Sequence, residues 1–220
     1  MKISAIITAA GSGHRFGEKK QFKPLCGQSL YHYSLWVFLG TKIFDEIILV
    51  VPEENKNLIE QEINRVFDKS IKVIVGGDTR QDSVINGVQS SNINSELVVI
   101  HDAARPFVTK KLINASIVGC EHADGSIIAI PSVDTIKYSK NSIIEKTIDR
   151  KYVWLAQTPQ TFNKKKLLNA YNNKSNDFSF TDESSIMEEM GYKISIVKGS
   201  ENNFKITTND DWNRAEALLK

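Results

Sequence analysis

The chain has 220 residues, 41% of them hydrophobic and 25% charged, which suits one well-cored domain, is thin for two, and excludes a disordered chain. Lys and Arg total 28 against 26 Asp and Glu, a net charge of +2; this excludes a broad basic surface for nucleic acid or anionic membrane and makes any anion site a local concentration of charge. The two cysteines, Cys26 and Cys120, are too few for a secreted disulfide scaffold and lack C-x-x-C spacing, so free cytosolic thiols are expected.

Met1-Lys2 leads directly into Ile3-Ser4-Ala5-Ile6-Ile7-Thr8 and then a glycine loop. That run is too short for a secretory signal, and the expectation is a cytoplasmic protein without transmembrane segments. Short runs rich in Ile and Val recur at residues 3–8, 46–51, 71–75, 97–100, 126–130 and 194–198. Amphipathic stretches separate most of them, which predicts an α/β fold with a mainly parallel sheet flanked by helices. Residues 53–67, with Leu58, Ile59, Ile63 and Val66, and residues 110–120, with Leu112, Ile113 and Ile117, read as helices covering that sheet.

Residues 132–157 break the rhythm, with β-prone but polar sequence and no covering helix. They predict either a projecting β-hairpin arm with Lys140-Asn141 near its tip or a surface excursion lying on its own subunit. A helix over 210–219 closes the sequence, which is read as a single domain over 1–220 with no second domain expected behind it.

Three segments carry chemistry. The first strand runs into Ala9-Ala10-Gly11-Ser12-Gly13-His14-Arg15-Phe16-Gly17 and then Lys19-Lys20-Gln21. Glycines after a strand let backbone N–H groups approach phosphate oxygens. The loop is not a Walker motif, and Phe16 stands where a dinucleotide fingerprint needs its third glycine. Arg15 and Lys20 within it suit a triphosphate, whereas a tight turn with solvated charges would give the same pattern.

The second segment, Gly76-Gly77-Asp78-Thr79-Arg80-Gln81-Asp82-Ser83, leads into a helix and offers groups for a base edge or ribose, or merely a helix cap from Asp78 or Thr79. In the third, residues 98–106, a buried strand delivers Asp102 to its carboxyl end, where α/β proteins bind ligands. Asp102 is a plausible Mg²⁺ ligand, because Mg²⁺ takes one or two carboxylates plus substrate phosphates. His101 has no nucleophile motif beside it and is read as structural.

The loop AAGSGHRFG, Lys20-Gln21, GGDTRQDSV, HDAARP, PSVDTIK, Asp149-Arg150 with Trp154, AQTPQ, TDESS and GSENNFKITT, in this order from residue 3 to about 215, together resemble the 2-C-methyl-D-erythritol 4-phosphate cytidylyltransferases of non-mevalonate isoprenoid biosynthesis. Lys19 departs from the family's usual proline before the catalytic lysine, which alters loop rigidity.

The resemblance implies a Rossmann-like three-layer nucleotidyltransferase fold and transfer of CMP from CTP to a sugar-alcohol phosphate with Mg²⁺. It assigns Ala9, Ala10, Gly77, Asp78 and Ser83 to cytosine and ribose, and Arg15, Lys20 and the amides of the Gly11 and Gly13 loop to the triphosphate. Lys205 becomes a further active-site cation, and Asp102 and Arg105 fall at the phosphate and metal centre. Thr135 and Arg150 would bind the sugar phosphate from the arm of a neighbouring subunit, implying a homodimer with composite sites. A ribitol 5-phosphate cytidylyltransferase is the nearest rival reading, and a catalytically silent nucleotide-binding module is the rival of another class.

Overall fold

The computed structural model describes residues 1–11, 13, 16–67, 71–173 and 180–220. In chain order the elements are β1 (Ile3–Thr8), β2 (Pro24–Leu25), β3 (Gln28–Ser29), α1 (Leu30–Thr41), β4 (Glu46–Val51), α2 (Lys56–Val66), β5 (Ile71–Val75), α3 (Arg80–Ser90), β6 (Leu97–Asp102) and α4 (Lys110–Gly119). They continue with β7 (Gly125–Pro131), β8 (Ile136–Lys140), β9 (Ile143–Ile148), β10 (Trp154–Asn163), α5 (Lys164–Asn173), α6 (Glu183–Glu189), β11 (Ile194–Lys198) and α7 (Asn209–Leu219).

A seven-stranded sheet runs β11-β7-β10-β6-β1-β4-β5. β10 pairs antiparallel with both of its neighbours, and the other pairings are parallel. Helices cover both faces, which is why the central strands are apolar throughout instead of alternating. Ala5, Ile7 and Leu49 pack against Leu35, Phe38, Ile59 and Ile113 of α1, α2 and α4. Ile6, Ile48 and Val50, one residue out of phase, pack against Val84, Val88, Leu167 and Ile186 of α3, α5 and α6. The result is the three-layer α/β architecture that the alternation of apolar runs predicts.

Three expectations need correction. The helix expected over 53–67 begins as a 3-10 turn, Glu53–Asn55, and becomes α-helical only at Lys56. Ile59 and Ile63 form its buried stripe, while Leu58 and Val66 are exposed; one i, i+4 row is all the sheet needs from it.

The hairpin of β8 and β9 occupies only 136–148, and those strands pair with each other alone. Its turn lies at Asn141-Ser142, where φ is 49° and 63°, the left-handed pair that a tight two-residue hairpin turn demands. Residues 154–157 are not part of the arm, because they open β10, a strand of the main sheet. The sequence hid it behind Gln157, Thr158, Pro159 and Gln160, and the proline is accommodated where the β7 pairing shifts register between Ala156 and Gln160.

Candidate active site

The loop leaving β1 is braced from inside. Gln21, buried at the 3-10 turn after it, donates its side-chain amide to the carbonyls of Ala9 (2.9 Å) and Gly11 (2.7 Å). Gly13 has φ +74°, and a Cβ there would lie 1.9 Å from Glu18 O, so only glycine closes this turn. Lys19, standing where proline is usual, pairs with Glu54 instead. Such an exposed pair contributes little stability, so the bracing falls chiefly to Gln21.

The second loop closes against the first, because a Cβ on Gly76 would sit 2.6 Å from both Ala10 Cβ and Ser83 Oγ. Thr79 and Asp82 form a reciprocal capping box that starts α3, and the Gly77 N–H donates to Ser83 Oγ at 3.2 Å. Capping by Thr79 therefore accounts for part of this motif, as the bland reading held, and Asp78 is left at the rim. The two loops and β6 enclose a recess of about 420 Å³ lined by Ala9, Ala10, Gly11, Gly13, Lys20, Gly77, Asp78, Ser83, Asp102 and Lys205. Thr8, Gln21, Thr79, Arg80 and Ala104 also line it.

At its floor Asp102 is 6% exposed. Oδ2 accepts from Lys205 Nζ at 2.6 Å, and Oδ1 accepts from Arg80 Nε at 3.2 Å and from Thr8 Oγ1 at 3.3 Å. Burial alone would raise this carboxyl's pKa, but Lys205, Arg80 and Arg105 together hold it well below the usual range. Asp102 is thus an anion inside a cationic cluster.

Arg80, Asp102 and Lys205 also line a second recess, of about 220 Å³, with Arg105, Gln157, Thr158, Gln160, Thr181 and Asp182. The two recesses share one charged wall. Arg105 Nη1 donates to the Asn203 carbonyl at 2.8 Å, so its guanidinium also ties the segment carrying Lys205 to β6.

His101, fully buried, is structural in the way its isolation suggested. Its Nε2 lies 3.2 Å from the Arg105 carbonyl, which can only accept, so Nε2 carries the proton; Nδ1 accepts from Thr158 Oγ1 at 3.0 Å. Thr158 Oγ1 in turn accepts from the Asp102 N–H at 3.1 Å. Burial pushes the His101 pKa from 6.5 down to about 4. The unfolded chain then binds a proton that the folded one refuses, so stability should fall as pH drops from 6.5 toward 4. An NMR titration of the ring checks this, with a midpoint near 4 expected and one near 6.5 refuting the assignment.

Thr135 and Arg150 are brought into neither recess. Both are exposed beside the arm, where Arg150 Nη1 donates to the Val133 carbonyl at 2.5 Å. Arg15 lies outside the described residues. Sequence reasoning gave no role to Arg80, Gln21, Thr158 or Glu183. All four stood within the quoted motifs, but nothing in those motifs shows that their side chains turn inward.

A mainly parallel α/β sheet with a glycine loop after its first strand, and Lys205, Arg80 and Arg105 gathered around Asp102 at the strand ends, is the arrangement of a Rossmann-like nucleotide-binding protein. The family model described as 2-C-methyl-D-erythritol 4-phosphate cytidylyltransferase matches residues 3–220. A 2-C-methyl-D-erythritol 4-phosphate cytidylyltransferase of Clostridioides difficile is 37% identical over 220 residues, covering 98% of this chain and 93% of that one. Its namesake from Aquifex aeolicus is 39% identical, covering 98% and 97%. Among solved structures, the 4-diphosphocytidyl-2C-methyl-D-erythritol synthase of Anaerococcus prevotii superposes with a TM-score of 0.89 at 34% identity, covering 99% of this chain and 96% of that one. The chain belongs to the 2-C-methyl-D-erythritol 4-phosphate cytidylyltransferase family.

Proposed function

We propose that the chain transfers the cytidylyl group of CTP to 2-C-methyl-D-erythritol 4-phosphate, releasing pyrophosphate. The observation that carries this is the shared wall: Lys205, Asp102 and Arg80 separate a glycine-lined recess from a smaller polar one. The larger recess takes the nucleotide, with Ala9, Ala10, Gly77, Asp78 and Ser83 about the base and ribose. Lys20, Arg15 and the loop amides hold the triphosphate. The smaller recess takes the acceptor.

In the transfer, an oxygen of the acceptor phosphate attacks the α-phosphorus and the bond from that phosphorus to the bridging oxygen of the β-phosphate breaks, so the electron pair leaves on pyrophosphate. The monoester has a second pKa of about 6 and is largely dianionic at neutral pH, so no general base is needed. What the protein supplies is positioning and fixed positive charge for two polyanions. Lys205 stands at the wall where they meet, and Lys20 lines the triphosphate side.

The donor set also fits Mg²⁺. Asp102 is ionised, and its Oδ2 accepts one hydrogen bond from the protein, leaving a lone pair. An ion there would be held by that one carboxylate and by substrate phosphates. Bound there, Mg²⁺ would neutralise charge on the triphosphate.

The homodimer belongs to the same proposal. Val133, Ile143 and Tyr152 on and beside the arm are 68%, 70% and 76% exposed, apolar side chains that a second copy could cover. Thr135 and Arg150, which line neither recess of their own chain, would then serve the partner's acceptor recess. Among the described residues no helix is long and apolar enough to cross a membrane, and we place the enzyme in the cytoplasm with its soluble substrates.

The test is pyrophosphate release from CTP and Mg²⁺ with either acceptor. Turnover with methylerythritol phosphate is expected, turnover only with ribitol 5-phosphate would favour the sister activity, and none with either would leave a binding module. Lys20→Ala and Lys205→Ala should each lower kcat by about 10²-fold, with much smaller changes in CTP affinity, because their charges matter most as pyrophosphate leaves. Loss of CTP affinity at unchanged kcat would assign them uniform binding instead.

A further inference from the structure

Glu183, at the first turn of α6, is a fully buried carboxylate outside the roles given so far. Arg80 Nη1 donates to both of its oxygens, at 2.8 and 2.9 Å, and the Tyr171 hydroxyl donates to Oε1 at 3.3 Å. Burial raises the Glu183 pKa, opposed by the Arg80 charge. A buried ion pair of this kind is a poor source of net stability compared with apolar packing of the same volume. Its presence therefore asks for a reason other than holding α6 in place.

The reason lies at the other end of the guanidinium. Arg80 lines both recesses, and its Nε donates to Asp102 Oδ1 at 3.2 Å. Glu183 and Asp102 thus take two parts of one planar fork, and Nη2 makes no hydrogen bond to the protein among the described residues. A lysine could meet one of these carboxylates with a point charge; a fixed fork can span both and still present a donor. The side chain begins at the first residue of α3, whose start is locked by the Thr79 and Asp82 capping box, so the fork is held at its root as well as at its edge.

We infer that Glu183 is a positioning residue for the transfer: it clamps Arg80 across the shared wall, so that Nε fixes Asp102 and Nη2 is left as a donor for the phosphates that meet there. This rests on the function proposed above. Without the clamp, Arg80 keeps its charge but loses its fixed orientation, and the loss falls on the reacting geometry and not on recognition of the base.

The experiment compares the wild-type chain with Glu183→Gln, which keeps the shape and removes the charge. Three quantities are read: kcat, the acceptor KM, and CTP dissociation by equilibrium titration. Expected is a fall in kcat of about tenfold or more, as when an outer partner of a catalytic group is removed, with CTP affinity changed less than about threefold. Glu183→Asp, which keeps the charge, should recover part of that kcat. Arg80→Lys, which keeps its charge and loses the fork, should fall as far as Glu183→Gln, and the double variant should fall no further.

A folded Glu183→Gln chain with wild-type kcat, or one whose loss lies wholly in CTP affinity, overturns the inference. If Glu183→Gln does not fold, Glu183→Asp and Arg80→Lys decide: additive losses in their double variant overturn it, and non-additive losses support it. A wild-type chain that releases no pyrophosphate with either acceptor overturns the proposed function, and this inference with it.

Discussion

Asp102→Asn should lower kcat on the order of 10³-fold while leaving a folded protein. The carboxylate lies among Lys205, Arg80 and Arg105 and accepts hydrogen bonds from the first two. Removing its charge lets these cations repel one another and swing from the positions the transfer uses, a loss of the size seen when preorganised charge is disturbed. Removing one partner of a buried charge cluster also costs stability. Here the side chains of Arg80 and Lys205 are 28% and 30% exposed, so both can regain water, and a lowered Tm is expected instead of collapse. Chelation should abolish wild-type activity and added Mg²⁺ should restore it. Steady-state rates beside thermal melts check both points; full turnover in Asp102→Asn, or in metal-free wild type, would remove the residue from the reaction centre.

Mixing an Arg150→Ala chain with a Lys20→Ala chain should raise activity well above that of either alone. In a shared-site dimer, one of the two sites of each heterodimer unites an intact Lys20 with an intact Arg150 from the other chain. If subunits exchange at random, about half the dimers are heterodimers, and about a quarter of all sites become competent. The geometry behind this is that Arg150 is exposed beside the arm and reaches neither recess of its own chain. Verified heterodimers no more active than the single variants would place Arg150 within its own chain's chemistry.

The parallel core was legible because both faces of the sheet are covered, which forces unbroken apolar runs. The runs at 3–8, 46–51, 71–75 and 194–198 coincide with β1, β4, β5 and β11. β6 runs on through His101 and Asp102, polar residues that a hydropathy pattern stops short of although the strand carries them to the site. β10 was illegible for the same reason carried further, since four successive residues, Gln157 to Gln160, supply no apolar signal although all are buried. Their polar groups are used inside: Thr158 for His101 and Asp102, Gln157 for Asn203 and Gln160 for Asp182.

The candidate site divides likewise. Its glycine loops and Asp102 could be read locally, because turn chemistry and strand ends are local. Lys205 entered only through resemblance, since nothing about Asn203-Phe204-Lys205 announces a partner elsewhere in the chain. Glu183 stood inside the TDESS motif without a role, since an acidic residue at a helix start is commonly solvated. The structure buries it and pairs it with Arg80, a residue distant in sequence.

The two contacts that assemble the wall, Arg80 with Glu183 and Asp102 with Lys205, each join residues 103 positions apart. Contacts so distant are slow to form, because loop-closure entropy must be spent before they reward the chain. A nascent chain can lay down β1, β4, β5 and β6 and enclose the glycine loop long before residue 205 is made. Lys205 lines the larger recess as well as the wall, so neither is complete until the segment carrying it docks beside Asp102.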